Sequence, residues 1–200
     1  MSIETETPTR REQMKANRRN QLVQAGARLI AERGFLGVRL EDLGAAAGIS
    51  GPAVYRHFSN KEALLVELLV RISQRLLDGG TAVVEQSTDP AEALAGLIEF
   101  HLDFALGEPD LIRIQDRDLE NLPTAAKRQV RKAQRQYVEI WVGVLRQLDP
   151  ALGETQARVQ AHATFGLINS TPHSASTLPP AVARPVLRQM AAAALSAPVS

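Results

Sequence analysis

Apolar side chains recur three and four positions apart along most of the chain, the period of a helix face, and no strand is expected. The first stripe is Leu22, Gly26, Leu29 and Ile30 in a helix over 17–33, which Gly34 ends. Phe35 then enters the core. A short helix over 41–47 carries Leu40, Leu43 and Ala47 on one face, and a second over 53–58 carries Val54 and Phe58. Gly48 turns the chain between them and Ile49 plugs the corner. Ser50 is a favoured N-cap, and Pro52 sits in the first turn, where a missing N–H costs least. Asn60 caps a longer helix with Leu64, Leu65, Leu68, Leu69, Ile72 and Leu76; Gly79-Gly80 either ends it or weakens its last turns. Further helices are expected over 90–106, 110–122, 124–148, 155–174 and 180–194, giving an all-α fold of about nine helices. Residues 1–15 are polar and aperiodic and read as a disordered basic arm. Residues 16–61 and 62–200 read as two domains.

Two short helices across a tight turn make a helix-turn-helix, whose second helix can lie in a DNA major groove. The run from Gly34 to Leu65 resembles the DNA-binding module of the tetracycline-repressor (TetR) family of one-component regulators. Tyr55-Arg56-His57-Phe58 followed by Asn60-Lys61-Glu62 is its most specific part. The resemblance is strong over the first third of the chain and rests elsewhere on length and helical pattern.

It implies that Tyr55 and His57 bond phosphates while Gly51, Pro52 and Ala53, behind Ser50, approach base edges. Arg56 is the only long side chain there able to make a bidentate contact to guanine. A helix-surface ion pair is its competing role. Lys61, in the first turn of the helix that Asn60 caps, is the expected phosphate anchor. One departure concerns the lead-in to the second helix, where family members usually place Thr or Ser. Here Val38-Arg39 stands instead, so Arg39 is expected to replace the phosphate contact by charge while the cap is lost.

Charge supports this only modestly. The net +1 divides into +4 over residues 1–61 and −3 over 62–200, so the basic balance lies with the helix-turn-helix, where phosphate contacts need it. Arg10, Arg11, Lys15, Arg18 and Arg19 follow closely enough to touch the DNA backbone; a solubilising tail is the other reading for Arg10 and Arg11. Zero cysteines exclude disulfides, thiolate zinc sites and cysteine nucleophiles, and fit a reducing cytosol. Neither a signal peptide nor an apolar run of membrane-spanning length is present, so a cytoplasmic protein without a membrane partner is expected.

Catalysis is not expected. The histidines at 57, 101, 162 and 173 form no His-x-x-x-His pair, and Asp116, Asp118 and Glu120 cannot all face one metal from a helix. There is no phosphate-cradling glycine loop and no nucleophile elbow, and no cofactor or metal is expected.

In the resembled family the C-terminal helical domain binds a small molecule between its helices and alters the spacing of two recognition helices. Here His101, Phe104 one turn on, and Tyr137 with Trp141 four residues apart would give a pocket an aromatic wall and polar anchors. Core packing is the competing role for each. Arg113, Asp116, Arg117 and Glu120 share one side of their helix, as a solvated face or a coupling element. A further stripe runs through His162, Gly166, Asn169, Ser170 and His173. The resemblance implies that the last two helices pair with their two-fold mates, so His162, Gly166, His173, Leu187 and Met190 are expected at a dimer interface. Asn169 is expected to reach the ligand, and pocket lining is also open to His173.

The expected protein is a homodimeric transcriptional repressor, released from a palindromic double-stranded DNA operator by a small hydrophobic effector. The competing reading is a helical ligand carrier or scaffold without specific DNA binding.

Overall fold

The computed structural model describes residues 9–175 and 177–196. Among these residues the fold is all-α, without a strand. Its helices are α1 (Arg10–Arg33), α2 (Leu40–Ala47), α3 (Gly51–Val54), α4 (Lys61–Gln86), α5 (Pro90–Gly107) and α6 (Pro109–Asp118). A 3-10 turn (Leu119–Asn121) follows, then α7 (Thr124–Leu148), α8 (Glu154–Ile168), α9 (Thr171–Ser174) and α10 (Pro180–Ser196). Two compact units divide at Leu68/Leu69, inside α4.

In unit 1, α1 begins at Arg10, so residues 10–15 are helical and not part of a disordered arm; residues 1–8 lie outside the described residues. The cause is a capping box. The Glu12 N–H donates to Thr9 Oγ1 at 3.3 Å, and the Thr9 N–H donates to Glu12 Oε2 at 2.8 Å. Helix α2 starts after Arg39 without a side-chain cap, as Val38-Arg39 suggested. The Arg39 N–H donates to Asp42 Oδ2 at 2.9 Å, the reciprocal half of a capping box, while no side chain at Arg39 accepts from the first-turn N–H groups. Gly48 ends α2 with φ 65° and ψ 34°, the left-handed conformation. The regular part of α3 is a single turn, shorter than the expected 53–58. Beyond it the N–H groups of Arg56 and His57 bond carbonyls three residues back, Ala53 and Val54, which tightens the chain into turns. Val54 and Phe58 are buried as expected, together with Leu22, Ile30, Phe35, Leu43 and Leu64.

In unit 2, α7 packs on α5 and α8, and α10 packs on α5 and α8. Trp141, Leu97, Leu102, Ile114 and Ile168 are fully buried there. Helix α4 runs through Gly79-Gly80 without a break. A Cβ on Gly79 would lie 2.1 Å from Phe100 Cζ, and one on Gly80 would lie 2.5 Å from Tyr137 Cε2. The glycines are therefore the place where two rings rest on the helix, and the packing they permit offsets their poor helix propensity. The expected helix over 155–174 is divided after Ile168. Pro172 lacks the N–H that would bond Ile168, and the Thr171 hydroxyl donates to Ala105 O at 2.8 Å, holding the chain on α5. The charged helix expected over 110–122 narrows to a 3-10 turn after Asp118.

Candidate functional site

Unit 1 carries an exposed polar surface around α3. Pro52, Tyr55 and Arg56 are exposed and Gly51, Ala53 and His57 are half-buried, while Val54 and Phe58 are buried. Ser50 precedes α3 at the N-cap position, but its side chain makes no capping hydrogen bond. The Tyr55 hydroxyl donates to Glu41 Oε1 at 2.6 Å, which holds the Glu41 carboxyl below its usual range and raises the phenol. Arg39 is exposed at the head of α2. His57 Nδ1 is buried without a hydrogen-bond partner. Burial, then the charges of Arg19, Lys15, Arg18 and Arg56, lower the His57 pKa. Those cations mark one positive surface joining α1 to the turn after α3.

Two basic residues in this region are structural. Lys61 Nζ donates to Phe35 O at 3.2 Å and Val38 O at 3.3 Å and lies over the Phe35 ring. Its charge thus ties the link before α2 to α4, so Lys61, the expected phosphate anchor, is already engaged within the unit. Arg19 donates to Glu67 and to the His57 carbonyl and stacks over Phe58, clamping α1 to α4 and to the end of the α3 turn.

Unit 2 holds a partly open cavity of about 410 Å³. Its inner end is made by α5, α7 and α8. The His101 ring lies 3.2 Å (Nδ1) from Tyr137 Oη and 3.1 Å (Nε2) from Asn169 Oδ1. Phe104 and Phe165 pack on His101, with ring centroids 5.8 and 4.9 Å away. An amide oxygen only accepts, so His101 Nε2 carries the proton and Nδ1 accepts from the Tyr137 hydroxyl, given that amide orientation. Burial holds His101 neutral, with its pKa lowered to about 4, and raises the Tyr137 phenol. Ser73 from α4, Gln115 and Asp116 from α6, Gln134 from α7 and His162 from α8 complete the polar lining. Burial raises the Asp116 carboxyl, partly offset by His173 nearby.

On the outer side, α8 exposes His162 and Gly166, and α10 exposes Val182, Val186 and Met190, spaced four apart. Leu187, also expected at an interface, is only 7 % exposed and packs within its own unit.

Residues 22–68 match the family profile of bacterial regulatory proteins of the TetR family, and residues 87–173 match that of tetracycline-repressor-like C-terminal domains. The chain belongs to the TetR family. The transcriptional activator FasR of Mycolicibacterium smegmatis is 31 % identical over 87 residues, 44 % of this chain and 40 % of FasR, so the chain spans well under two thirds of that relative. The ketosteroid regulator KstR2 of Mycobacterium tuberculosis has the same fold, with a TM-score of 0.77 at 24 % identity, over 89 % of this chain and 93 % of that one. AibR, solved with isovaleryl coenzyme A and operator DNA, aligns with a TM-score of 0.69 at 18 % identity, over 86 % and 97 % of the two chains.

Within this TetR-family chain the cavity gathers His101, Phe104, Tyr137 and Asn169, four of the five residues expected there. Trp141 stands behind them, fully buried against Phe165 and Tyr137 rather than on the cavity wall. His162, expected at an interface, reaches the cavity, and His173 lies near Asp116. Phe165, an apolar neighbour of the His162–Asn169 stripe, was not expected at the cavity, although His162, Phe165 and Asn169 have helix-face spacing. Among the described residues no group of three His, Cys, Asp or Glu side chains is placed to hold a metal.

The neutral His101 has a consequence for stability. An unfolded chain takes up a proton at this ring near pH 6.5, whereas the folded chain does so only near 4. The stability contributed by neutral His101 is therefore fully present above 6.5 and lost as the pH falls to about 4. Urea midpoints across that window should fall more steeply for the wild type than for His101→Gln. Equal slopes would refute it.

Proposed function

We propose that this chain is a ligand-responsive transcriptional repressor that binds a palindromic operator as a homodimer and leaves it when a small, largely apolar effector fills the cavity. The observation that carries this is the pairing, in one chain, of an exposed helix-turn-helix surface with a cavity in the other unit. Gly51, Pro52 and Ala53 are the small residues able to approach base edges, and Arg56 reads guanine. Tyr55, His57 and Arg39 meet phosphate, Tyr55 exchanging its Glu41 partner for the DNA backbone. Lys15 and Arg18 on α1 extend this contact, and Lys61 supports the module from within. AibR, of the same fold, is described with both a ligand and operator DNA, which favours the regulator over a carrier without DNA binding. The chain works by binding and not by turnover.

The exposed row Val182, Val186 and Met190, beside His162 and Gly166, suits a second copy, as apolar faces of this kind mark contact sites. The two-fold axis would set the half-site spacing. Mobility shift with DNA upstream of the chain's own coding sequence tests the reading. Arg56→Ala and Tyr55→Ala should each weaken binding by about ten- to a hundredfold with helix content unchanged. Met190→Glu should give a monomer that shifts operator poorly. Absence of a shift at low salt, with dimer present, would remove the regulator reading.

A further inference from the structure

The chemistry of the cavity lining goes further than the presence of a cavity. Asp116 is the one formally charged carboxylate among the lining residues, and no Lys or Arg side chain is among them. Lys127 and Arg131 at the start of α7 are paired with Glu120 at 2.8 and 2.6 Å. At the inner end every polar group is neutral. His101 Nε2–H is taken by Asn169 Oδ1, and Nδ1 is taken by the Tyr137 hydroxyl. What remains for a ligand is the Asn169 Nδ2 amide, a donor without a partner among the described residues, and a lone pair on Tyr137 Oη. Aromatic rings of Phe104 and Phe165 supply the rest of that wall.

We propose that this cavity selects an uncharged, compact hydrophobic ligand with a carbonyl or carboxamide head, and discriminates against free carboxylates and against phosphate-bearing thioesters. The ligand carbonyl accepts from Asn169 Nδ2, and an amide N–H donates to Tyr137 Oη. A carboxylate at the same place would lose its hydration without gaining a cation. It would also face the lone pair of Tyr137 and the field of Asp116. The volume of about 410 Å³ lies toward the small end of the ~300–1,000 Å³ span of ligand pockets, which favours compact ligands. His162, at the exposed rim, is the one lining group besides His101 that could take a positive charge, so it enters the test.

This rests on the reading that the cavity is the effector site. Trp141 is the only tryptophan of the chain and stacks edge-on against Tyr137 and Phe165, so its fluorescence reports occupation of the cavity. The full chain is titrated with octanamide, 2-octanone, octanoate and octanoyl coenzyme A. Octanamide should bind at least about tenfold tighter than octanoate, the factor expected when a polar group is matched rather than stranded. Asn169→Ala should remove most of that advantage, and Asp116→Asn should improve octanoate binding while leaving octanamide unchanged. Octanoate or octanoyl coenzyme A binding as tightly as octanamide would overturn the proposal. So would octanoate binding that disappears in His162→Gln, or no response to octanamide at its solubility limit. Operator mobility shift run alongside separates the two readings. An intact shift without octanamide binding overturns the ligand class alone. Octanamide binding without any operator shift overturns the regulator and leaves the ligand class standing.

Discussion

Trp141→Ala is expected to lower the stability of the C-terminal unit by about 3–5 kcal/mol, the range for truncating a large buried aromatic. Trp141 is 0 % exposed and lies against three other rings: His101 at 6.1 Å, Tyr137 at 6.3 Å and Phe165 at 5.0 Å between centroids. Alanine removes one side of the support on which the cavity wall stands, so ligand binding should fall with stability. Trp141→Phe makes the contrast. It keeps a ring in place and removes an indole N–H that is buried without a partner, so its cost should be about 1 kcal/mol. Chemical denaturation followed by circular dichroism measures both. A loss below about 1 kcal/mol for the alanine variant would mean that the unit is not built around this side chain.

Gly44→Val should disable the DNA-binding unit while sparing the other. A Cβ at position 44 would lie 2.8 Å from Ile49 O, 3.2 Å from Val54 Cγ2 and 3.4 Å from Gly51 N. Two of these are backbone atoms of the turn itself. They cannot withdraw cheaply, because the Ile49 N–H is bonded to Gly44 O at 2.9 Å. A cost at the upper end of the ~1–3 kcal/mol typical of overpacking is expected, with α3 displaced from α2. Operator binding should be lost, while Trp141 fluorescence and cavity occupation stay at wild-type values. Gly48→Ala should be milder, about 1 kcal/mol, since φ is 65° there but nothing lies within 4 Å of the added methyl. Hydrogen exchange of the Leu43 and Val54 amides reads both variants. Wild-type protection in Gly44→Val would overturn the argument.

The sequence by itself determined the features that depend on neighbours a few residues away. Apolar spacing placed the helices and their buried faces, and Gly48, Asp89-Pro90 and Asn60 marked turns and caps that are observed, the last by the Ala63 N–H bonded to Asn60 Oδ1 at 2.8 Å. The start of α1 was also legible, since Thr9-x-x-Glu12 is a capping box; the polar, basic composition of that segment obscured it. Asp42 behind Arg39 is a comparable local signal.

What only the tertiary structure decided involves residues far apart in the chain. A helical stripe tells that Trp141, His162 and Leu187 have an inner or outer side, not which helix meets that side. Packing of α7 against α5 and α8 set Trp141 behind the cavity and left His162 at its rim, and packing of α10 on α5 and α8 enclosed Leu187. Gly79-Gly80 read as a weak point because helix propensity is local, yet Phe100 and Tyr137 arrive there from other helices and need the missing side chains. Lys61 looked like a free charge for the same reason. Its two acceptors, Phe35 O and Val38 O, are carbonyls 26 and 23 residues earlier, and such pairings leave no period in the sequence.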